Sequence, residues 1–278
     1  MRIDCHQHFW SYDPAIDHWI TDQMTVLKGA FTPFELLPEL AAAGIDATVA
    51  VQARQSESEN FFLLDLSTRC PQIAGIVGWI DLCAPNLPER LAFFSRFPKI
   101  CGFRHVVQDE PDDNFVLRKD VMRGIAALRE YNFTYDILIY PRQLPAAIKL
   151  VEALPDQPFV IDHIAKPLVK TKEIATWSHD IRIIAANPYV YCKLSGLITE
   201  AEWSNWKAED FRPYLDVVFE AFGPERLMFG SDWPVCLLAG TYLQVLLLVE
   251  DYTRNLKPKD KEDIFGDNAA RFYRLAFS

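Results

Sequence analysis

The sequence predicts a (β/α)8 barrel, and three observations carry that reading. Eight short apolar runs rich in β-branched and aromatic residues recur along the chain. The stretches between them carry helical periodicity, so each run and the stretch after it form a βα unit. The 278 residues suit a barrel of this kind, typically roughly 250 long. No G-x-G-x-x-G follows the first run, as a doubly wound open sheet binding a dinucleotide would show.

In chain order the expected strands are R-I-D-C-H near residue 4, A-T-V-A-V-Q near 49, I-A-G-I-V-G-W-I near 76 and I-C-G-F-R-H near 103. Y-D-I-L-I near 137, F-V-I-D-H near 161, V-Y-C-K-L-S near 192 and R-L-M-F-G-S-D near 229 complete the eight. Among the helices between them, Pro33 to Ala43 ends at Gly44, and Phe211 to Phe222 ends at Gly223 and Pro224. Lys119 to Tyr131 and Gln143 to Leu154 carry the same period. No linker, composition shift or longer repeat divides the chain, so a single domain over 1–278 is expected, with a helical tail from about Lys259.

Composition narrows the class of function. A formal net charge of -10 argues against a nucleic-acid partner, which would favour a basic face. Cys5, Cys70, Cys83, Cys101, Cys192 and Cys236 are widely spaced with no C-x-x-C pair, so buried thiols in a reducing compartment are expected. The N-terminal residues lack the basic and apolar regions of a secretory signal. Val245 to Val249 falls far short of the roughly 20 apolar residues that span a bilayer. A cytoplasmic protein with no membrane association is expected.

In a barrel the reactive side chains sit where the strands end. The first strand ends in His6 and His8, the fourth in Arg104 and His105, the sixth in Asp162 and His163, the seventh in Lys193 and Ser195, and the eighth in Ser231 and Asp232. Strand side chains alternate between faces, so His6 and His8 reach one point from a single strand. Barrel closure brings Asp232 beside the first strand, and His163 faces the same mouth. Three histidines and an aspartate then suit a Zn-like divalent ion, or a polarised carbonyl and its attacking water.

Structural roles compete at several of these positions. His105 alone reads as a hydrogen-bonded structural residue, and His18 and His179 as surface residues. Asp162, adjacent to His163, is expected on the opposite face, where it orients a neighbour or caps a turn. Asp232 also suits a helix N-cap, since Pro234 fits a first helical turn. The convergence of four strands on one depth favours a reactive site.

The blocks I-D-C-H-Q-H-F-W, G-F-R-H-V-V-Q-D-E-P, D-H-I-A-K-P, C-K-L-S-G-L-I-T-E-A and R-L-M-F-G-S-D-W-P-V resemble the amidohydrolase superfamily (amidohydrolase 2). Within it they resemble the sugar-lactonase branch, and most closely its L-fuconolactonase- and L-rhamnonolactonase-like members. The resemblance runs nearly end to end and implies a barrel of the metal-dependent-hydrolase type that opens a lactone ester. It implies that His6, His8, His163 and Asp232 are both the catalytic set and the metal-binding set. The wider superfamily adds a carboxylated lysine on the fourth strand and a histidine on the fifth. This chain has Arg104 and His105 on the fourth and Asp136 on the fifth, which points away from a binuclear centre. Two versions stay open: one divalent ion, Zn or Mn, or a metal-free site whose histidines donate to the lactone carbonyl.

In both versions Asp232 deprotonates water and then protonates the leaving ring oxygen, while the histidines stabilise the oxyanion. Arg104, His105, Gln52, Lys166 and Ser195 are the candidate hydrogen-bonding groups for the sugar, and Trp10, Trp79 and Trp233 the candidate flat surfaces. Core packing is an equal reading for Trp79. Arg104 would suit a dicarboxylic pyrone, but the few basic strand ends favour a neutral sugar lactone. The alternatives are a decarboxylase of the same superfamily and a non-catalytic barrel binding sugar acids. Homo-oligomerisation is left open.

Overall fold

Residues 1–277 are described by the computed structural model. Ser278, the last residue of the expected domain span, lies outside the described residues. The eight apolar runs become eight strands: β1 (Ile3–Gln7), β2 (Ala47–Val51), β3 (Ile73–Gly78), β4 (Ile100–His105), β5 (Thr134–Ile137), β6 (Phe159–Ile161), β7 (Val190–Leu194) and β8 (Leu227–Phe229). They lie in one 8-stranded sheet in chain order, each adjacent pair parallel. Their near-continuous apolarity follows, since a parallel sheet is covered on both faces.

The sheet's edges meet through backbone just beyond β8. The Asp232 N–H donates to the His6 carbonyl at 2.8 Å and the His8 N–H to the Trp233 carbonyl at 2.7 Å. Four of the candidate residues, His6, His8, Asp232 and Trp233, are thus fixed by the bonds that close the barrel.

Local signals explain the helices. In α1 (Pro33–Ala43) the Thr32 hydroxyl accepts from the Phe34 N–H and Glu35 reaches back to Thr32, while Gly44, at φ 63, ends the helix in a left-handed turn. Leu36, Leu40 and Ala43 form its buried stripe, each leucine contributing about 1.5–3 kcal/mol by leaving water. α2 (Glu57–Arg69), α3 (Leu87–Phe94), α4 (Lys119–Leu128), α5 (Leu144–Ala153), α6 (Ala175–Ala185), α7 (Ala208–Phe222) and α8 (Tyr242–Thr253) follow. α4 ends before Tyr131 because Arg129–Tyr131 tightens into a 3-10 turn that Asn132 stops at φ 62. α7 begins before Phe211 because the Asp210 carboxylate accepts from the Lys207 N–H at 2.9 Å and caps an earlier turn.

The C-terminal segment runs through α9 (Pro258–Glu262), a π turn and α10 (Asn268–Tyr273). Ala269, Phe272 and Tyr273 pack with Ile3, Cys5, Val49, Val77, Val160 and Met228, plugging the barrel opposite the strand ends that carry the histidines. A short antiparallel pair, Trp10–Ser11 with Ala30–Phe31, frames an excursion over the other mouth that no periodicity announces. Among the described residues no helix is long and apolar enough to cross a membrane. All six cysteines are free; five are buried as expected, while Cys83 is half-buried.

Candidate active site

The strand ends surround a cavity of about 820 Å3 whose wall includes His8, His163, Asp232, Arg104, Lys166 and Trp10. His6 lies beneath it, fully buried. The His6 and His8 Nε2 atoms are 3.1 Å apart. Asp232 Oδ1 is 3.8 Å from His6 Nε2, 3.4 Å from His8 Nε2 and 3.9 Å from His163 Nε2. His8 Nδ1 sits 2.8 Å from the Val51 carbonyl, which can only accept, so the imidazole presents a bare Nε2 to the site. Tetrahedral ligands at 2.0–2.1 Å from a zinc ion stand about 3.3 Å apart. His6, His8 and Asp232 therefore stand close enough together to hold one divalent ion, while His163 adds a nitrogen 3.9 Å from the same Asp232 oxygen and groups with His6 and Asp162 in a second such set.

Burial drives the His163 imidazolium pKa down to about 4 and lowers those of His6 and His8. All three histidines are therefore neutral at pH 7, as ligation or carbonyl binding requires. Burial alone would raise Asp232, but the His163 and His8 imidazoles overcome it and hold the carboxyl below its ordinary value. It stays a carboxylate.

The backbone that presents these groups is strained. His163, Ile164, Ala165 and Lys166 are consecutively left-handed, at φ 53, 47, 58 and 48, a conformation costing about 1–2 kcal/mol per L-residue. Packing overrules that cost. The Trp177 indole donates to the Ile164 carbonyl at 2.9 Å, the Lys166 N–H returns to the His163 carbonyl at 2.8 Å, and Ser195 Oγ meets His163 Nδ1 at 2.9 Å. Gly196 completes the cradle, since a Cβ there would lie 2.5 Å from His163 Nδ1. On the other side Asp4 accepts from the N–H groups of His6 and Ser231 and from the hydroxyls of Ser231 and Tyr242. It fixes the turn in which Asp232 takes φ 57.

Asp162 corrects the expectation of an outward side chain. Strand alternation stops at Ile161, and the left-handed turn sends Asp162 and His163 to the same side. Its carboxylate accepts from Arg104 Nη1 at 3.0 Å, and its other oxygen lies in ion-pair contact 2.9 Å from Lys193 Nζ and 3.4 Å from His6 Nδ1. Lys193 is fully buried and also binds Asp136 at 2.6 Å, while Tyr273 donates to the same Asp136 oxygen at 2.7 Å. These buried charges beneath the histidines carried a legible signal, a lysine near the end of an otherwise apolar strand.

The expected substrate contacts divide. Trp10, Arg104 and Lys166 line the cavity. Gln52 does not; its carbonyl accepts from Arg104 Nη2 at 2.6 Å and its side chain donates to the Arg104 carbonyl at 3.3 Å. Ser195 is spent on His163. His105 turns away to Glu110 at 2.7 Å and stacks on Phe115, the structural role weighed for it. Trp233 packs edge-on against Phe9 and Phe31, and Trp79 stands outside the cavity wall with its backbone paired to Asn60. These five support the site rather than face the cavity. Sequence reasoning missed Arg54, Asp17, Tyr140, Glu200 and Trp203 in the wall; they lie in loops or, for Glu200, in the short 3-10 turn Ile198–Glu200, none with periodic signal.

The amidohydrolase family model matches residues 3–275. The chain belongs to the amidohydrolase family. Among its relatives in that family, an L-fucono-1,5-lactonase of Burkholderia multivorans is 43% identical over 286 residues, covering 99% of this chain and 96% of the relative. An L-fucono-1,5-lactonase of Burkholderia ambifaria is 36% identical over 278 residues, again covering 99% and 96%. A crystal structure of an amidohydrolase from Burkholderia multivorans with bound zinc has a TM-score of 0.95 at 44% identity, covering 99% of this chain and 100% of that one.

Proposed function

We propose that this protein hydrolyses the ester of a neutral sugar lactone, L-fucono-1,5-lactone or a close aldonolactone, to the open hydroxy acid. The full-length similarity to two lactonases supports the reaction. One observation carries the choice of a neutral substrate: each cation at the cavity already faces a carboxylate. Arg54 binds Asp17 at 2.8 Å, Arg104 binds Asp162 at 3.0 Å, and Lys166 faces Glu200 at 3.7 Å. No unpaired cation remains among them to hold the carboxylate of an acidic pyrone or of a decarboxylase substrate.

His6, His8, His163 and Asp232 would hold one divalent ion, and three imidazole nitrogens with one carboxylate oxygen suit zinc. Such an ion, when bound, supplies Lewis-acid polarisation of the ester carbonyl. Asp232 Oδ1 takes a proton as water adds to the carbonyl carbon. The oxyanion forms beside His163 and the Arg104 guanidinium, which lies 3.3 Å from His6 Nε2. When the carbon to ring-oxygen bond breaks, Asp232 returns the proton to that oxygen, so the net change is addition of one water. Lys193 and Asp162 hold the His6 ring from below. Trp10 offers the sugar ring a flat wall, its own indole N–H held by the Leu27 carbonyl at 3.2 Å. The activity rests in one barrel domain, and the six free cysteines support the reducing cytoplasm as its location.

An indicator assay of aldonolactones tests this reading. Acid release from L-fucono-1,5-lactone without CO2 is expected; CO2 evolution from an aromatic acid, with no lactone opened, overturns it.

A further inference from the structure

We propose that Glu200, held opposite Lys166, is the specificity-determining residue that reads the ring hydroxyls of the substrate. The inference rests on the lactone-hydrolase reading of the same cavity and names the group that selects among lactones.

Of the three cation and carboxylate pairs at the cavity, two are spent. Arg54 donates to both Asp17 oxygens, at 2.9 and 2.8 Å, and Arg104 donates to Asp162 at 3.0 Å. The third pair differs. Lys166 Nζ and Glu200 Oε1 stand 3.7 Å apart, too far for a hydrogen bond, and neither side chain hydrogen-bonds elsewhere among the described residues. Lys166 otherwise sits only over the Tyr140 ring, at 5.4 Å. Both side chains are largely enclosed, at 17% and 18% exposure, yet both line the cavity. Burial accordingly raises the Glu200 carboxyl, with Lys166 opposing only in part.

A hydroxyl is the group that fits this gap. It donates one proton and accepts through two lone pairs, so it can give to Glu200 and take from Lys166 at once. A second carboxylate would meet Glu200 as a like charge, and an ammonium would meet Lys166. The pair therefore favours a neutral, hydroxylated ring over a charged one. The placement is rigid as well. Lys166 closes the left-handed turn that begins at His163, and Glu200 ends the short 3-10 turn Ile198–Glu200 that follows the Gly196 cradle. The two recognition groups thus ride on the turns that position the reacting centre, about which a ring would be oriented.

Glu200→Gln keeps the shape and removes the charge, so it separates hydroxyl recognition from folding. The test compares kcat/KM for L-fucono-1,5-lactone with that for δ-valerolactone, a six-membered lactone with no hydroxyl. It also compares binding of L-fucose, a hydroxylated ring with no ester, to the wild type and to E200Q by calorimetric titration. A charged hydrogen bond is worth about tenfold to hundredfold. The expected result is a fall of that size in the fucono-lactone to valerolactone ratio, with L-fucose bound more weakly by E200Q. An unchanged ratio, or L-fucose bound equally by both proteins, overturns the proposal. If the wild type opens neither lactone, the lactonase reading fails by itself, and the L-fucose titration alone decides the role of Glu200.

Discussion

Lys193 and Asp136 form a fully buried ion pair, 2.6 Å between Nζ and Oδ2, at the foot of the histidine cluster. The same ammonium reaches Asp162 at 2.9 Å and His6 Nδ1 at 3.0 Å. Removing it strands two carboxylates in the barrel interior. Lys193→Met is therefore expected to cost about 3–5 kcal/mol, read as a lowered urea midpoint with unchanged slope. The double variant Lys193→Met with Asp136→Asn should recover part of that loss, because one of the stranded charges is gone. Additive losses in the two variants would show that the pair does not act as a unit.

Gly196 makes room for the His163 ring. Gly196→Ala adds a methyl 2.5 Å from His163 Nδ1, at φ 58, so both packing and backbone resist it. A stability loss of about 1–3 kcal/mol is expected. Because the displaced ring is a candidate catalytic group, kcat should fall up to about a hundredfold. Full activity in a folded G196A protein would remove His163 from the mechanism.

The pH dependence follows from the direction of the shifts. Above its pKa of about 4 His163 is neutral, and Asp232, held below the ordinary carboxylate value, is ionised over the same range. Both groups are then in their working state throughout the neutral region. The rate should be flat from about pH 6 to 8 and should fall only as the solution approaches pH 4. An acid limb centred near 6.5, the ordinary histidine value, would mean that the imidazoles titrate freely and that burial does not set their state.

Much of this arrangement was legible beforehand, for identifiable reasons. The strands announce themselves because a sheet buried on both faces needs continuous apolar runs, and the polar residues ending those runs mark the mouth of the barrel. His6 and His8 follow from alternation within β1. Alternation then fails at Ile161, where four left-handed residues intervene, so Asp162 was placed on the wrong side. Lys193 was visible as a strand-end residue, yet its partners Asp136 and Asp162 come from two other strands, and only tertiary structure joins them. Trp79 and Trp233 looked like sugar platforms because an aromatic beside a polar strand end has no local mark of whether it faces cavity or core. The excursion between Ser11 and Ala30 that brings Asp17 to Arg54 has no period at all.

The central claim, that Asp232 serves as the base opposite three neutral histidines, is tested most directly by Asp232→Asn. Asparagine tolerates the left-handed φ that position 232 requires, so the thermal melt should match that of the wild type. Acid release from L-fucono-1,5-lactone should fall about 10²- to 10⁴-fold. A folded D232N protein that opens the lactone within twofold of the wild-type rate would contradict the account.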